Sequence, residues 1–114
     1  MSANGISTHV LDTSRGKPAV GVRVVIEVRE GNGWKELARG VTDADGRIAS
    51  LLPGGPPAAG DYRVRFATAD YFHAAHDPVF YPEVTVQVHF DAAGGKFHLP
   101  LLLNPFGYTT YRGS

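Results

Sequence analysis

The chain has 114 residues, eleven Lys and Arg against eleven Asp and Glu, five His and no Cys. Zero formal net charge argues against a nucleic-acid binder, which needs a basic face, and the lack of cysteine rules out disulfides and thiolate chemistry. No apolar run approaches a membrane span and no secretory signal is visible at the start, so a cytoplasmic protein of one domain, residues 1–114, is expected.

Fourteen glycines and eight prolines punctuate a series of short strands. Ile6 to Leu11 is the first, with Ile6, Thr8 and Val10 on one face and Ser7, His9 and Leu11 on the other; polar residues and Pro18 end it. Gly21 to Arg29 alternates Val22, Val24, Ile26 and Val28 against Arg23, Glu27 and Arg29, with Val25 the exception. Gly31-Asn32-Gly33 predicts a hairpin turn into a strand over Trp34 to Val41. Asp43-Ala44-Asp45-Gly46 predicts a second tight turn, leading into Arg47 to Leu52, and Pro53-Gly54-Gly55-Pro56-Pro57 predicts a loop. Tyr62, Val64 and Phe66 mark one face of the next strand, whose other face carries Arg63 and Arg65, expected to pair with acids.

Thr68 to Ala75 is the one predicted helix, with Thr68 or Asp70 as its cap and Asp77-Pro78 as its stop. His73 and His76 could share a face of it, but neither cysteine nor an HExxH arrangement supports them, so no metal site is expected. Glu83 to Phe90 alternates four apolar residues against Glu83, Thr85, Gln87 and His89, which places His89 on a solvated face. A loop through Gly94-Gly95 feeds Lys96 to Leu103, and Gly107 to Arg112 is the last strand. About eight short strands with one helix imply an all-β, two-sheet antiparallel sandwich.

The strand from Lys96 to Leu103 has a further property. Phe97, Leu99, Leu101 and Leu103 supply a core face, yet His98, Pro100 and Leu102 on the other face are also largely apolar. The outer face of a sandwich should be polar, so a second subunit is expected to cover this one.

Three side chains are candidates for chemistry. His9 is either a solvated surface histidine or a base lining a site. Arg47 either pairs with a neighbouring aspartate or offers its rigid fork of donors to the oxygens of a planar ligand. His98 is either satisfied by a backbone carbonyl or kept neutral by partial burial, as a general base near pH 7 requires. The chain has no GxSxG elbow, P-loop or dinucleotide fingerprint, so a hydrolytic reaction here would use water as nucleophile. The last four residues, Tyr111-Arg112-Gly113-Ser114, combine an aromatic hydroxyl, a guanidinium, a glycine and a serine bearing a terminal carboxylate.

Four segments together carry a resemblance. Ser7-Thr8-His9-Val10-Leu11-Asp12 with Gly16-Lys17-Pro18-Ala19, Thr42 to Arg47, Phe80-Tyr81-Pro82-Glu83-Val84, and residues 97–114 resemble the 5-hydroxyisourate hydrolases, the purine-catabolic branch of the transthyretin-like proteins. The resemblance implies a prealbumin-like sandwich and a homotetramer, a dimer of dimers with active sites at the dimer–dimer interface. It implies hydrolytic opening of 5-hydroxyisourate to 2-oxo-4-hydroxy-4-carboxy-5-ureidoimidazoline in urate degradation, with neither metal nor organic cofactor. By the same resemblance His9, Arg47, His98 and Ser114 are catalytic, and His9, Arg47, Tyr111, Arg112 and Gly113 bind substrate. The loop at 53–60 is longer and richer in proline than in such proteins. The alternatives are a transthyretin-type carrier of a small aromatic ligand and a plain β-sandwich interaction module; neither accounts for the His and Arg set together with the tail.

Overall fold

Period-two alternation of apolar and polar residues organises the computed structural model, which describes residues 5–52, 57–91 and 96–113, into strands that each bury one face. In chain order these are β1 (Ile6–Asp12), β2 (Lys17–Pro18), β3 (Arg23–Glu30), β4 (Gly33–Val41), β5 (Arg47–Leu52), β6 (Gly60–Phe66), α1 (Thr68–Ala74), β7 (Val84–Phe90), β8 (Phe97–Asn104) and β9 (Gly107–Thr110). The described residues thus hold nine strands, one more than expected. The addition is β2, two residues that pair Leu11 with Pro18 and Asp12 with Lys17 and carry no alternation to read. Most of the expected loop at Pro53 to Pro57 and the Gly94-Gly95 turn lie outside the described residues, as does Ser114.

One sheet runs β4-β3-β6-β7 and is antiparallel throughout. The other runs β2-β1-β8-β9, with β5 also paired to β1. Within it β1 and β8 run parallel over seven register pairs, from Ile6 opposite Phe97 to Asp12 opposite Leu103. The sandwich is therefore mixed at this one seam, because β1 and β8 belong to distant parts of the chain and no hairpin forces them antiparallel.

The inner faces meet in one core. Val24, Ile26, Val64 and Phe66 from one sheet pack against Ile6, Val10, Leu101 and Leu103 from the other, all essentially inaccessible. Each such side chain contributes roughly 1.5–3 kcal/mol on burial. On the solvent face of the first sheet Arg63 and Arg65 pair with Glu27, and Arg65 also with Glu83 at 2.9 Å, as their alternation predicted.

The helix departs from its predicted caps. Its N-cap is Ala67, with no side-chain cap bond, because Thr68 turns inward and donates to the Tyr81 carbonyl at 2.6 Å while Asp70 stays exposed. Burial of Phe72 anchors the helix instead. The last helical residue is Ala74, and the chain leaves through His76 at φ 60°, one residue before the expected Asp77-Pro78 stop. That left-handed conformation is uncommon outside glycine.

A buried carboxylate ties these parts together. Asp12, 1% exposed, accepts from the Ser14 hydroxyl at 2.6 Å, the Arg15 guanidinium at 3.0 Å and the Tyr71 hydroxyl at 2.5 Å. The backbone N–H groups of Ser14 and Arg15 add two more bonds at 3.0 Å. Arg15 continues to Asp77 at 2.6 Å, so one residue links the end of β1 to the helix exit.

Candidate functional site

The site lies on the outer face of the mixed sheet and begins with a turn. Gly46 takes φ +74°, and a Cβ there would lie 2.4 Å from the Val10 carbonyl oxygen, so only glycine lets the turn lie flat on β1. The Val10 N–H donates to the Gly46 carbonyl at 2.7 Å. Asp43 closes the turn by accepting from the N–H groups of Asp45 at 2.9 Å and Arg47 at 3.0 Å. Those two bonds, Arg47's first, hold the Asp43 carboxyl below its usual range. The outcome is that β5 starts with Arg47 directly opposite His9.

The second half of the site comes from β8. Parallel pairing places Ser7 beside His98 and His9 beside Pro100. Side chains two residues apart on one strand share a face, so Arg47 and His9 form one row, and Ser7 and His98 the adjacent row. The Ser7 Oγ is 2.8 Å from the His98 Nδ1. Partial burial pushes the His98 imidazole below its ordinary value, and the nearby charges of Arg47 and His9 push it the same way.

The tail completes the second row. Past β9 the chain pairs once more with β8: Gly113 bridges His98 and donates its N–H to the His98 carbonyl at 2.8 Å. A Cβ on Gly113 would stand 2.6 Å from the His98 Cδ2 and 3.2 Å from the Pro100 Cγ. Thr110 Oγ1 donates to the Pro100 carbonyl at 2.7 Å. Pro100 is therefore buried by this chain's own tail, while His98 and Leu102 remain half-exposed. Part of the apolar outer face of β8, expected to be covered by a subunit, is covered from within.

Four of the residues read from sequence thus come together: His9, Arg47, His98 and Gly113. Tyr111, 56% exposed, and Arg112, which reaches the Lys96 carbonyl at 3.5 Å, lie on the stretch leading to Gly113. Ser114 lies outside the described residues. His98 is held by a hydroxyl and not by a backbone carbonyl. Arg47 makes no ion pair among the described residues, so its fork is uncommitted; the Asp43 carboxylate holds only its backbone. His73 and His76 stand exposed at the helix end, and no group of metal-ligating residues occurs among the described residues. His89 is exposed but paired with Asp61 at 2.7 Å.

Two residues escaped the sequence reading. Ser7 sits two places before His9 on the same face, and Asp43 heads the turn before Arg47. Both positions were legible, but only the cross-strand register gives them partners.

The arrangement offers two imidazoles, a guanidinium with no ion pair among the described residues and a closely packed glycine on one open face. A family model described as the HIUase/Transthyretin family matches residues 6–113. The 5-hydroxyisourate hydrolase of Salmonella typhi is 48% identical over 112 residues, covering 98% of this chain and 82% of that protein. The structure of Klebsiella pneumoniae 5-hydroxyisourate hydrolase is similar at a TM-score of 0.85 and 39% identity, over 97% of this chain and 99% of that one. Sea bream transthyretin in complex with thyroxine superposes at a TM-score of 0.88 and 33% identity, over 95% of this chain and 93% of that one.

Proposed function

This chain belongs to the HIUase/Transthyretin family and stands with its hydrolases, and from that footing we propose that it opens the ring of 5-hydroxyisourate with water. The product would be 2-oxo-4-hydroxy-4-carboxy-5-ureidoimidazoline, a step in urate degradation. The observation that carries the reading is the register of Arg47 opposite His9, with His98 in the adjacent row of the same face.

Hydrolysis at an amide-like ring carbonyl makes three demands: water must lose a proton, the oxyanion needs donors, and the planar ring must be held. Water adds to the carbonyl carbon as its proton passes to an imidazole of the His9 and His98 pair. The oxygen that gains negative charge faces the Arg47 guanidinium, whose fork suits a planar substrate. The carbon–nitrogen bond then breaks and the ring nitrogen takes up the proton. Tyr111 donates a hydrogen bond to substrate and Arg112 and Gly113 form the wall, while Ser114, outside the described residues, keeps the catalytic role that the family resemblance gives it.

Exposure supports an interfacial site. Arg47 is exposed and His9, His98, Leu11 and Leu102 are half-buried, so the constellation lies open on one chain. A homotetramer whose dimer–dimer interface covers this face would shut bulk solvent out around the ring and its one attacking water, and would bury the remaining apolar side chains.

The test is to generate hydroxyisourate in situ from urate with urate oxidase and to follow its ultraviolet absorbance. Decay well above the spontaneous rate is expected. Decay at the spontaneous rate would remove the hydrolase reading and leave the carrier reading, for which the likeness to thyroxine-bound transthyretin is the support.

A further inference from the structure

The contact between Ser7 and His98 joins residues 91 apart in sequence, at 2.8 Å, on strands whose register places them side by side. Among the described residues it is the only hydrogen bond made by either side chain. The ring is thus fixed at two points: Nδ1 at the Ser7 hydroxyl and Cδ2 beneath Gly113. Its other nitrogen, Nε2, has no hydrogen-bond partner among the described residues, which leaves it for substrate.

Which nitrogen bears the proton is set by the bond the other makes. Ser7 has one hydroxyl proton, and Nδ1 is the acceptor within reach. With Nδ1 as acceptor, both groups are satisfied. The reverse arrangement, Nδ1–H donating to Oγ, would leave the hydroxyl proton of a half-buried serine without an acceptor among the described residues. We propose that Ser7 is a positioning residue that selects the His98 tautomer, its hydroxyl donating to Nδ1 so that Nε2 carries the ring proton.

This rests on the hydrolase reading and divides the work of its two histidines. A neutral His98 with Nε2–H is a hydrogen-bond donor and has no lone pair there to take a proton. It serves, with Arg47, the oxygen on which negative charge develops. The proton leaving water as the oxygen–carbon bond forms therefore passes to His9, and His9 returns it to the ring nitrogen as the carbon–nitrogen bond breaks. Burial and the nearby Arg47 charge favour a neutral His98, the form in which Nδ1 can accept from Ser7.

Long-range proton–nitrogen correlation spectra of the full chain decide the point, with the His98→Asn variant identifying the His98 signals. Wild-type protein at a pH where His98 is neutral should show Nε2 protonated and Nδ1 bare. Ser7→Ala should shift His98 towards a mixture of tautomers, and Ser7→Thr should keep the wild-type pattern. In turnover, Ser7→Ala should lose about 10- to 100-fold in kcat, the range for partners that orient an imidazole. Its KM should barely move, and Ser7→Thr should recover most of the loss. An Nδ1-protonated His98 in the wild-type protein, or an unchanged tautomer in Ser7→Ala, would overturn the proposal. Failure of the hydrolase reading would look different: the wild-type protein would not turn over hydroxyisourate, and the spectra would still report the tautomer.

Discussion

Gly113 and His98 are in contact so close that no side chain fits between them: a Cβ on Gly113 would come within 2.6 Å of the His98 Cδ2. Gly113→Ala must therefore push the tail off the imidazole or turn the ring away from Ser7. A misplacement of about 1 Å at a catalytic group costs up to ~10²-fold in rate. The variant should lose activity on that scale and melt close to wild type, since the tail adds little to the core. Unchanged turnover would show that the tail does not position His98.

Arg47 is placed by its backbone, through β1 pairing and the Asp43 bond, so its side chain can be altered without disturbing the turn. Arg47→Lys keeps the charge and loses the planar fork. If the guanidinium holds the developing oxyanion, kcat should fall by ~10²–10³, the loss expected on removing one such donor. Melting temperature should stay within a few degrees of wild type. Full activity in the lysine variant would assign Arg47 a purely electrostatic role.

His98 titrates below its ordinary value of 6.5, chiefly through burial. As pH falls through that depressed value the ring takes up a proton, Nδ1 can no longer accept from Ser7, and activity should decline. The stability effect has the same sign. The unfolded chain binds its proton first, near 6.5, so folding loses stability as pH falls from there to the folded value. A histidine titration followed by magnetic resonance checks this; a His98 midpoint at or above 6.5 would contradict it.

Asp12 supplies a separate acid-sensitive element away from the site. Burial pushes its carboxyl up, but bonds from Ser14, Tyr71 and Arg15 outweigh that and hold it at about 2 against 3.8. Unfolding restores the higher value, so this stabilisation is present above about pH 4 and lost as pH falls to about 2. A difference of that size amounts to about 2 kcal/mol. Asp12→Asn should cost at least roughly that at neutral pH and should flatten the acid limb of the stability curve. Chemical denaturation at several pH values measures both, and an unchanged acid limb would assign it to other carboxylates.

Much of this molecule was legible in the order of its residues, because strand alternation and turn chemistry are local properties. The faces of β1, β3, β6, β7 and β8 follow from period two, and that alone put His9 opposite the core side of β1 and His98 opposite the core side of β8. The Asp43 to Gly46 turn was readable from its glycine and aspartates, and with it the start of β5 at Arg47. The short motifs around these residues resembled one family, and the fold agrees with it.

Adjacency was not legible, since alternation says which way a side chain points and not which strand lies beside it. Burial of both inner faces, together with two positions where only glycine fits, selected the neighbours. Gly46 seats Arg47 against His9, and Gly113 seats the tail against His98. The parallel seam between β1 and β8 then brought Ser7 to His98 across 91 residues, and the inward turn of Thr68 took away a helix cap that its residue type had promised. Residue type and spacing named the chemical groups; long-range packing decided which of them touch.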